Sequence, residues 1–303
     1  MKLDGPYSTA RGVESAIKDA AKKAAADDPS LDTNKRIQLE YFNRFLSRIF
    51  SEGEESEWVL KGGASMLARI PSARSTRDID LYRRGFTLDQ ALADLKRLAA
   101  VDLGDYFRFE YVEHEPSIGT ETQPYTDGSR VTFNVFIGVE SKGALHVDLV
   151  VGADMTGQVV VTAPATSLDL PRLTSHSYRL YPAVDQIADK ICATMTVYDG
   201  RASSREKDLI DLVEFALTQD FGGAELALAI DVERRRRQMD SLPAFTVPPN
   251  WGRGYAKLSK SVPYCSGYRT VEAAVDLVAK LIDPVLAGEA DTKTWNCLAL
   301  EWT

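Results

Sequence analysis

The sequence has few of the residues that build disulfide frameworks or zinc sites. It holds only 3 cysteines and 3 histidines, all far apart and without a CxxC pair. They are Cys192, Cys265, Cys297, His114, His146 and His176. Neither a disulfide-stabilised fold nor a zinc centre is therefore expected. A metal ion here would be held by carboxylates, which favours a hard ion such as Mg²⁺ or Mn²⁺.

Long apolar runs are also missing. No run approaches the roughly 20 residues that a membrane-spanning helix needs, and residues 1–6 (MKLDGP) lack the apolar core of a secretory signal. The sequence therefore predicts a cytoplasmic protein without a membrane partner. No GxGxxG motif opens a βαβ unit, which argues against a dinucleotide-binding domain.

Positive charge is in short supply, with 36 Lys and Arg against 44 Asp and Glu and a net charge of −8. This balance argues against broad, nonspecific nucleic-acid binding but leaves room for a local basic path. Arginines cluster in two stretches, and each cluster is either the start of such a path or a solvated face. The clusters are Arg69, Arg74, Arg77, Arg83 and Arg84, and then Arg234 to Arg237.

The pattern along the 303 residues predicts an α+β protein in two parts. Up to about residue 165, alternating apolar segments near 58–60, 79–82, 107–112, 131–137 and 145–151 predict the strands of a small mixed sheet. Helical spacing predominates afterwards, as in the segment 271–286. We therefore expect domains at residues 1–165 and 166–303, the second mainly helical.

One short motif, Asp78-Ile79-Asp80-Leu81, predicts a cation site. Alternate residues of a strand share a face, so Asp78 and Asp80 should project together while Ile79 and Leu81 enter the core. Two adjacent carboxylates repel each other unless a cation lies between them. Asp148 lies in an otherwise apolar strand and is the candidate for a third ligand, although an arginine partner would also explain it.

A Gly-Gly break precedes this motif and predicts a phosphate seat. Gly62 and Gly63 let the backbone approach a ligand closely, although such a pair is often only a turn. A helix starting at Ala64 would direct its N–H groups at that ligand, with Ser65 as a side-chain donor.

These motifs together resemble the AbiEii-type nucleotidyltransferase toxins, including the MenT proteins, of the DNA polymerase β-like superfamily. The resemblance rests on Lys61–Ser65, Ser75–Leu81 and Arg205–Leu212 and covers roughly residues 40 to 215. It implies a polymerase β-like catalytic domain followed by a helical domain that completes the active-site cleft. It also implies NMP transfer from an NTP to an acceptor, with release of pyrophosphate. The acceptor would be RNA, most simply the 3′ end of tRNA, and an antitoxin would be encoded nearby.

The resemblance also assigns roles by position. Asp78, Asp80 and Asp148 would hold Mg²⁺ or Mn²⁺, Lys190 would contact a phosphate, and Asp211 would be the late essential acid. Asp211 would orient Lys190 or the acceptor. Lys190 could instead be a surface lysine, and either Asp208 or Asp211 could simply pair with Lys190 or Arg205. The nucleotide-binding set would be Lys61, Gly62, Gly63, Ser65 and Arg77. In one respect the chain departs from the superfamily pattern, since Gly63 stands where serine often follows the first glycine.

Three alternatives remain open. The same carboxylates could transfer NMP to a protein side chain, the domain could bind nucleotides without catalysis, or it could be a kinase-like phosphotransferase. A regulatory role for Ser75 or Thr76 is a further expectation, although their hydroxyls could simply cap the turn. A phosphate there would add about two negative charges beside the metal site and repel the incoming triphosphate.

Overall fold

The computed structural model describes residues 7–70, 76–116, 127–152, 155–165, 167–198 and 200–303. Arg74 and Ser75, which were singled out in the sequence, lie outside these residues. The helices are α1 (Ala10–Asp27), α2 (Thr33–Ile49), α3 (Gly62–Arg69), α4 (Leu88–Ala99), α5 (Ala183–Met195), α6 (Glu206–Thr218), α7 (Gly223–Arg236), α8 (Arg253–Ser259) and α9 (Val271–Leu286). The strands are β1 (Trp58–Lys61), β2 (Ile79–Arg84), β3 (Phe107–Pro116), β4 (Asp127–Ile137), β5 (Glu140–Gly152), β6 (Val160–Thr162), β7 (Tyr178–Leu180), β8 (Val197–Tyr198), β9 (Arg201–Ala202), β10 (Phe221–Gly222), β11 (Thr294–Asn296) and β12 (Glu301–Trp302).

The chain divides into two compact units, with β7 at the end of the first and Tyr181–Thr303 in the second. The first unit carries a seven-stranded sheet in the order β3-β4-β5-β2-β1-β7-β6. β2 pairs with β5 in parallel and β1 with β7 in parallel, while the other pairs are antiparallel. The mixed α/β architecture confirms the predicted class in outline. The predicted division at residues 165/166 stays a prediction.

One face of this sheet forms the core of the first unit. Phe45 of α2 packs edge-on against Phe109 of β3 and at a tilt against Phe133 of β4. Val147 and Leu149 of β5 point to the same side and are fully buried. The residues between them face the other way, since side chains alternate along a strand. On β5, apolar alternation thus covers one face and leaves the opposite face to His146 and Asp148.

The second unit consists mainly of helices, with two small sheets of 2 and 3 strands among its described residues. α5 contacts both α6 and α7, and α6 contacts α9. Arg237 fixes α7 to α5 through an ion pair with Asp189 at 2.5 Å. No helix among the described residues of either unit has the length and apolar character needed to cross a membrane.

Side-chain caps mark the starts of several helices. Asp32 and Thr87 cap α2 and α4 by accepting backbone N–H groups, and Thr87 completes a capping box with Gln90. α9 has the predicted limits. One expectation was wrong: α3 begins at Gly62 rather than at Ala64, so both glycines belong to its first turn. Its dipole therefore places its positive end at the glycine pair.

Candidate active site

Four charged residues lie side by side across the polar face of the sheet. Lys61 of β1 is the register partner of Asp80 of β2, Asp80 is the partner of Asp148 of β5, and Asp148 is the partner of Arg130 of β4. Register partners point to the same face, and neighbouring strands lie about 4.8 Å apart. The four residues therefore form one continuous line, which we call the charge row (Lys61, Asp80, Asp148 and Arg130).

In the Asp-x-Asp segment, the two apolar residues are buried as predicted. Ile79 and Leu81 are fully buried, while Asp78 and Asp80 are only half-buried. Asp78 lies in a bend immediately before β2 and not in the strand itself. Its backbone carbonyl accepts a hydrogen bond from the Thr76 hydroxyl at 3.2 Å. Regulation through phosphorylation of Thr76 stays a prediction.

Gly62 is required by the position of Asp80. Its φ is +59°, in the left-handed region that side chains disfavour. A Cβ at this position would lie 1.9 Å from Asp80 Oδ2 and 2.5 Å from Asp80 Cγ. The Asp80 carboxylate is thus seated against the backbone at the start of α3. Gly63 is buried and Ser65 is fully buried within the same helix, so direct contact of Ser65 with a phosphate stays a prediction.

Lys61 and Arg130 place positive charge at the two ends of the charge row. Lys61 is half-buried, and its Nζ lies 5.7 Å from the centroid of the Tyr82 ring. Arg130 donates from Nε to Asp148 Oδ1 and from Nη2 to Asp148 Oδ2, both at 2.8 Å. The side chains of Arg130 and Asp148 are 45% and 18% exposed. The arginine partner that the sequence left open for Asp148 is therefore present.

The acids of this region act together on Arg130. Its pKa is raised above the usual range, first by the hydrogen bonds and charge of Asp148 and then by the charges of Asp78 and Asp80. All three predicted acids therefore lie close enough to stabilise one guanidinium.

The second unit contains a separate buried charge cluster, which we call the helix network (Lys190, Arg205, Asp208 and Asp211). Lys190 of α5 donates to Asp211 Oδ2 at 2.5 Å and to Asp208 Oδ1 at 3.3 Å. Arg205 also pairs with Asp208. The Lys190 side chain is 6% exposed, and those of the two acids 1%. The alternative of an ordinary surface lysine is therefore wrong, whereas the expected pairing of Lys190 with Asp211 is present.

Comparison with known proteins assigns the chain to a family. A family model described as nucleotidyl transferase AbiEii toxin, type IV TA system, matches residues 44–277. The chain belongs to the AbiEii family. The match spans both the charge row and the helix network, and it confirms the resemblance seen in the motifs. This AbiEii protein is accordingly a member of a nucleotidyltransferase toxin family of type IV toxin–antitoxin systems.

Two solved structures from Helicobacter pylori are similar to this AbiEii protein at 15% identity and a TM-score of 0.44. One is JHP933, with 86% of this chain and 96% of that chain covered. The other is a candidate nucleotidyltransferase, with 85% and 98% covered. No curated protein sequence matches the chain.

The donor set of this AbiEii protein suits a divalent cation only in part. Asp78 and Asp80 offer hard carboxylate oxygens and both act on the charge of Arg130, and the contact with Gly62 holds Asp80 in place. Across the described ranges, no three His, Cys, Asp or Glu side chains gather as a metal-binding group. Asp148 is engaged by Arg130 through both oxygens. The residues present therefore fit a cation held by Asp78 and Asp80, and a third ligand from Asp148 stays a prediction.

The arginine clusters divide into structural and exposed members. Arg234 and Arg235 pair with Asp231, and Arg236 and Arg237 pair with Glu233. The second cluster is thus a network of ion pairs rather than an open basic path. In the first cluster, Arg83 is buried against Glu57, Trp58 and Phe86, and burial lowers the pKa of Arg69 to about 10. Arg77 and Arg84 are exposed.

Arg130 is the residue of this site that the sequence analysis did not single out. The available signal was the alternation of β4, where Val131 and Phe133 are buried and Arg130 faces the other way. That alternation shows on which face of the sheet Arg130 lies, but not which residue of the next strand lies beside it. Only the strand register sets Arg130 opposite Asp148.

Proposed function

We propose that this AbiEii protein transfers a nucleoside monophosphate from an NTP to the 3′ end of an RNA, most simply a tRNA, and thereby blocks translation. The observation that carries the proposal is the charge row, with Asp80 seated on Gly62 at the start of α3. This arrangement combines acids for a cation with positive groups for phosphates. The first unit would then serve as a polymerase β-like catalytic domain.

In the proposed reaction, the terminal ribose hydroxyl attacks the α-phosphorus of the NTP. The bond to the bridging oxygen of the β-phosphate breaks and pyrophosphate leaves with both bonding electrons, while the hydroxyl proton passes to solvent. Bound at Asp78 and Asp80, Mg²⁺ or Mn²⁺ would neutralise phosphate oxygens and acidify the hydroxyl.

The chain's own residues would position the triphosphate. Lys61 supplies a point charge beside Asp80. Gly62 and Gly63 form the first turn of α3, whose positive dipole end favours anionic groups. Arg77 is exposed immediately before Asp78 and is available to a phosphate or a ribose. In the second unit, Lys190 is proposed as a phosphate ligand whose ammonium is oriented by Asp211.

An RNA acceptor is favoured by an exposed cation on the polar face of the sheet. Arg84 shares the face of Asp80, two alternations along β2, and is exposed. It offers the start of a local basic path for a phosphate backbone despite the net charge of −8. Membership in a type IV toxin–antitoxin family further implies a cognate antitoxin, which we propose is encoded by a neighbouring gene.

The test is incubation of the purified protein with each α-³²P-labelled NTP, total tRNA and a protein extract, in the presence of Mg²⁺. We expect label in the RNA fraction, released by 3′ exonuclease digestion. Label in the protein fraction would instead indicate NMP transfer to a side chain. Label in neither fraction, with every NTP and with Mn²⁺ replacing Mg²⁺, would overturn the proposal.

A further inference from the structure

The ion pair between Arg130 and Asp148 has a geometry that conflicts with a metal-binding role for Asp148. Two parallel hydrogen bonds of 2.8 Å engage both carboxylate oxygens, the arrangement in which arginine pairs with a carboxylate most strongly. A cation bound to the same carboxylate would lie beside a guanidinium that remains charged at any ordinary pH. The two positive groups would repel each other at short range.

The fold uses Arg130 in a cross-strand pair with Asp148 and not in its core. The core beneath β4 is filled by Val131 and Phe133, which point away from Arg130 and are 0% and 1% exposed. A cross-strand pair of opposite charges contributes only a small amount to stability. The guanidinium nevertheless lies in the combined field of Asp78, Asp80 and Asp148, which all raise its pKa. A positive charge at this point is therefore better explained by binding of an anionic ligand than by stabilisation of the fold.

We propose that Asp148 is the anchor of Arg130 and not a metal ligand, and that the Arg130 guanidinium takes the place of a second cation by binding the triphosphate of the NTP. This inference rests on the proposed function. A guanidinium has five N–H donors, and Asp148 accepts from only part of them. The remaining donors are available to phosphate oxygens, and the exposure of the side chain leaves room for such a contact. Arg130 would thus be a substrate-binding residue and Asp148 its positioning residue.

The decisive variant removes the ion pair as a unit. Arg130→Gln combined with Asp148→Asn leaves the net charge unchanged, so a change in metal affinity reports lost ligands and not lost charge. Binding of Mn²⁺ alone is measured by electron paramagnetic resonance. We expect the double variant to bind Mn²⁺ within about threefold of the wild type, because the exposed pair supplies no metal ligand and its loss changes the free energy little. Asp80→Asn should weaken binding about tenfold or more.

Binding of inorganic triphosphate to the Mg²⁺-saturated protein, measured by calorimetry, supplies the second readout. We expect Arg130→Gln to weaken triphosphate binding about tenfold, the loss of a charge-assisted hydrogen bond. The triphosphate affinity of Arg130→Lys should fall between those of the wild type and Arg130→Gln, because lysine keeps the charge but lacks the paired N–H donors of the guanidinium. Asp148→Asn should also weaken binding, since the guanidinium loses its anchor.

The matched control is the exposed pair Arg108 and Glu110, 3.0 Å apart on β3 of the same sheet. Arg108→Gln with Glu110→Gln should change neither affinity. The inference is overturned if the Arg130/Asp148 double variant loses Mn²⁺ as strongly as Asp80→Asn does, or if Arg130→Gln leaves triphosphate affinity unchanged. Failure of the proposed function is distinct, because it shows as absence of labelled RNA whatever the two binding readouts give.

Discussion

The charge row and the helix network use the same residue types in opposite surroundings. In the charge row, Arg130 and Asp148 meet on the polar face of the sheet, with side chains 45% and 18% exposed. In the helix network, Lys190 and Asp211 meet at 2.5 Å with side chains 6% and 1% exposed. The exposed side of the first pair can therefore contact a ligand while the pair stays intact, whereas the second pair is enclosed by helices.

Burial decides what each cluster can do. Taking charges out of water costs several kcal/mol per ion, which only close, well-oriented partners offset. The helix network meets that cost with two acids around one lysine. The side chains of the charge row are more exposed, so their desolvation cost is smaller and phosphates or a cation can reach them. The difference teaches that, of these two clusters, the exposed charges lie on the sheet and the buried charges lie among the helices.

The largest expected effect is on catalysis and comes from the charge row. Asp80→Asn keeps the shape of the side chain but removes its charge, so we expect nucleotide transfer to RNA to fall at least about a hundredfold. The melting temperature should change little, because Asp80 is only half-buried. Glu110→Gln on β3 is the matched control and should keep full activity. Equal activity of Asp80→Asn and wild type would contradict the assignment of the site.

The next effect contrasts the two clusters by stability. Lys190→Met leaves Asp208 and Asp211 buried without their lysine and should reduce the free energy of unfolding by about 3–5 kcal/mol. Arg130→Gln breaks the exposed pair with Asp148 and should lower the free energy of unfolding by no more than about 1 kcal/mol. Urea denaturation of both variants measures the difference. Similar losses in the two variants would show that the clusters do not differ in the way described.

A smaller effect isolates the contact between Gly62 and Asp80. Gly62→Ala and Gly53→Ala share a positive φ, +59° and +62°, but a Cβ meets nothing within 4 Å at Gly53. Both should lose about 1–2 kcal/mol of stability from backbone strain. Only Gly62→Ala should also displace Asp80 and lower activity, since its Cβ would overlap the carboxylate. The activity ratio of these two variants measures that displacement. A ratio near one would show that Asp80 need not sit against this backbone.

The smallest effect probes how well the helices are sealed. Burial raises the pKa of the Cys192 thiol, two residues after Lys190, from 9.0 to about 12, so its reactive thiolate is scarce below that pH. At pH 8 we expect iodoacetamide to modify the half-exposed Cys297 before Cys192. Lys190→Met should speed the modification of Cys192, as followed by peptide mass spectrometry. Unchanged protection of Cys192 in that variant would argue that Lys190 does not hold the helices together.

Much of this organisation could be predicted from the sequence, for identifiable reasons. Apolar alternation placed Ile79 and Leu81 in the core, and helical spacing gave α9 its limits. The pairing of Lys190 with Asp211 followed from the motif resemblance. The strand β7, with 3 residues, was not predicted because so short a segment carries little alternation.

The remaining features depend on contacts that no local pattern encodes. Arg130 meets Asp148 because of the register of β4 against β5, over 18 residues of sequence separation. Gly62 is needed because a carboxylate from another strand occupies the position of its missing Cβ. A glycine pair before a helix predicts close approach but does not say which group approaches.

The central claim is that the charge row carries nucleotidyl transfer, and paired labelling tests it most directly. The wild-type protein and Asp80→Asn are each incubated with tRNA and either α-³²P- or γ-³²P-labelled NTP. The account predicts that the α-label enters RNA and the γ-label leaves as pyrophosphate, both lost in Asp80→Asn. Transfer of the γ-label to the acceptor, or release of NDP, would contradict it and reveal a phosphotransferase instead.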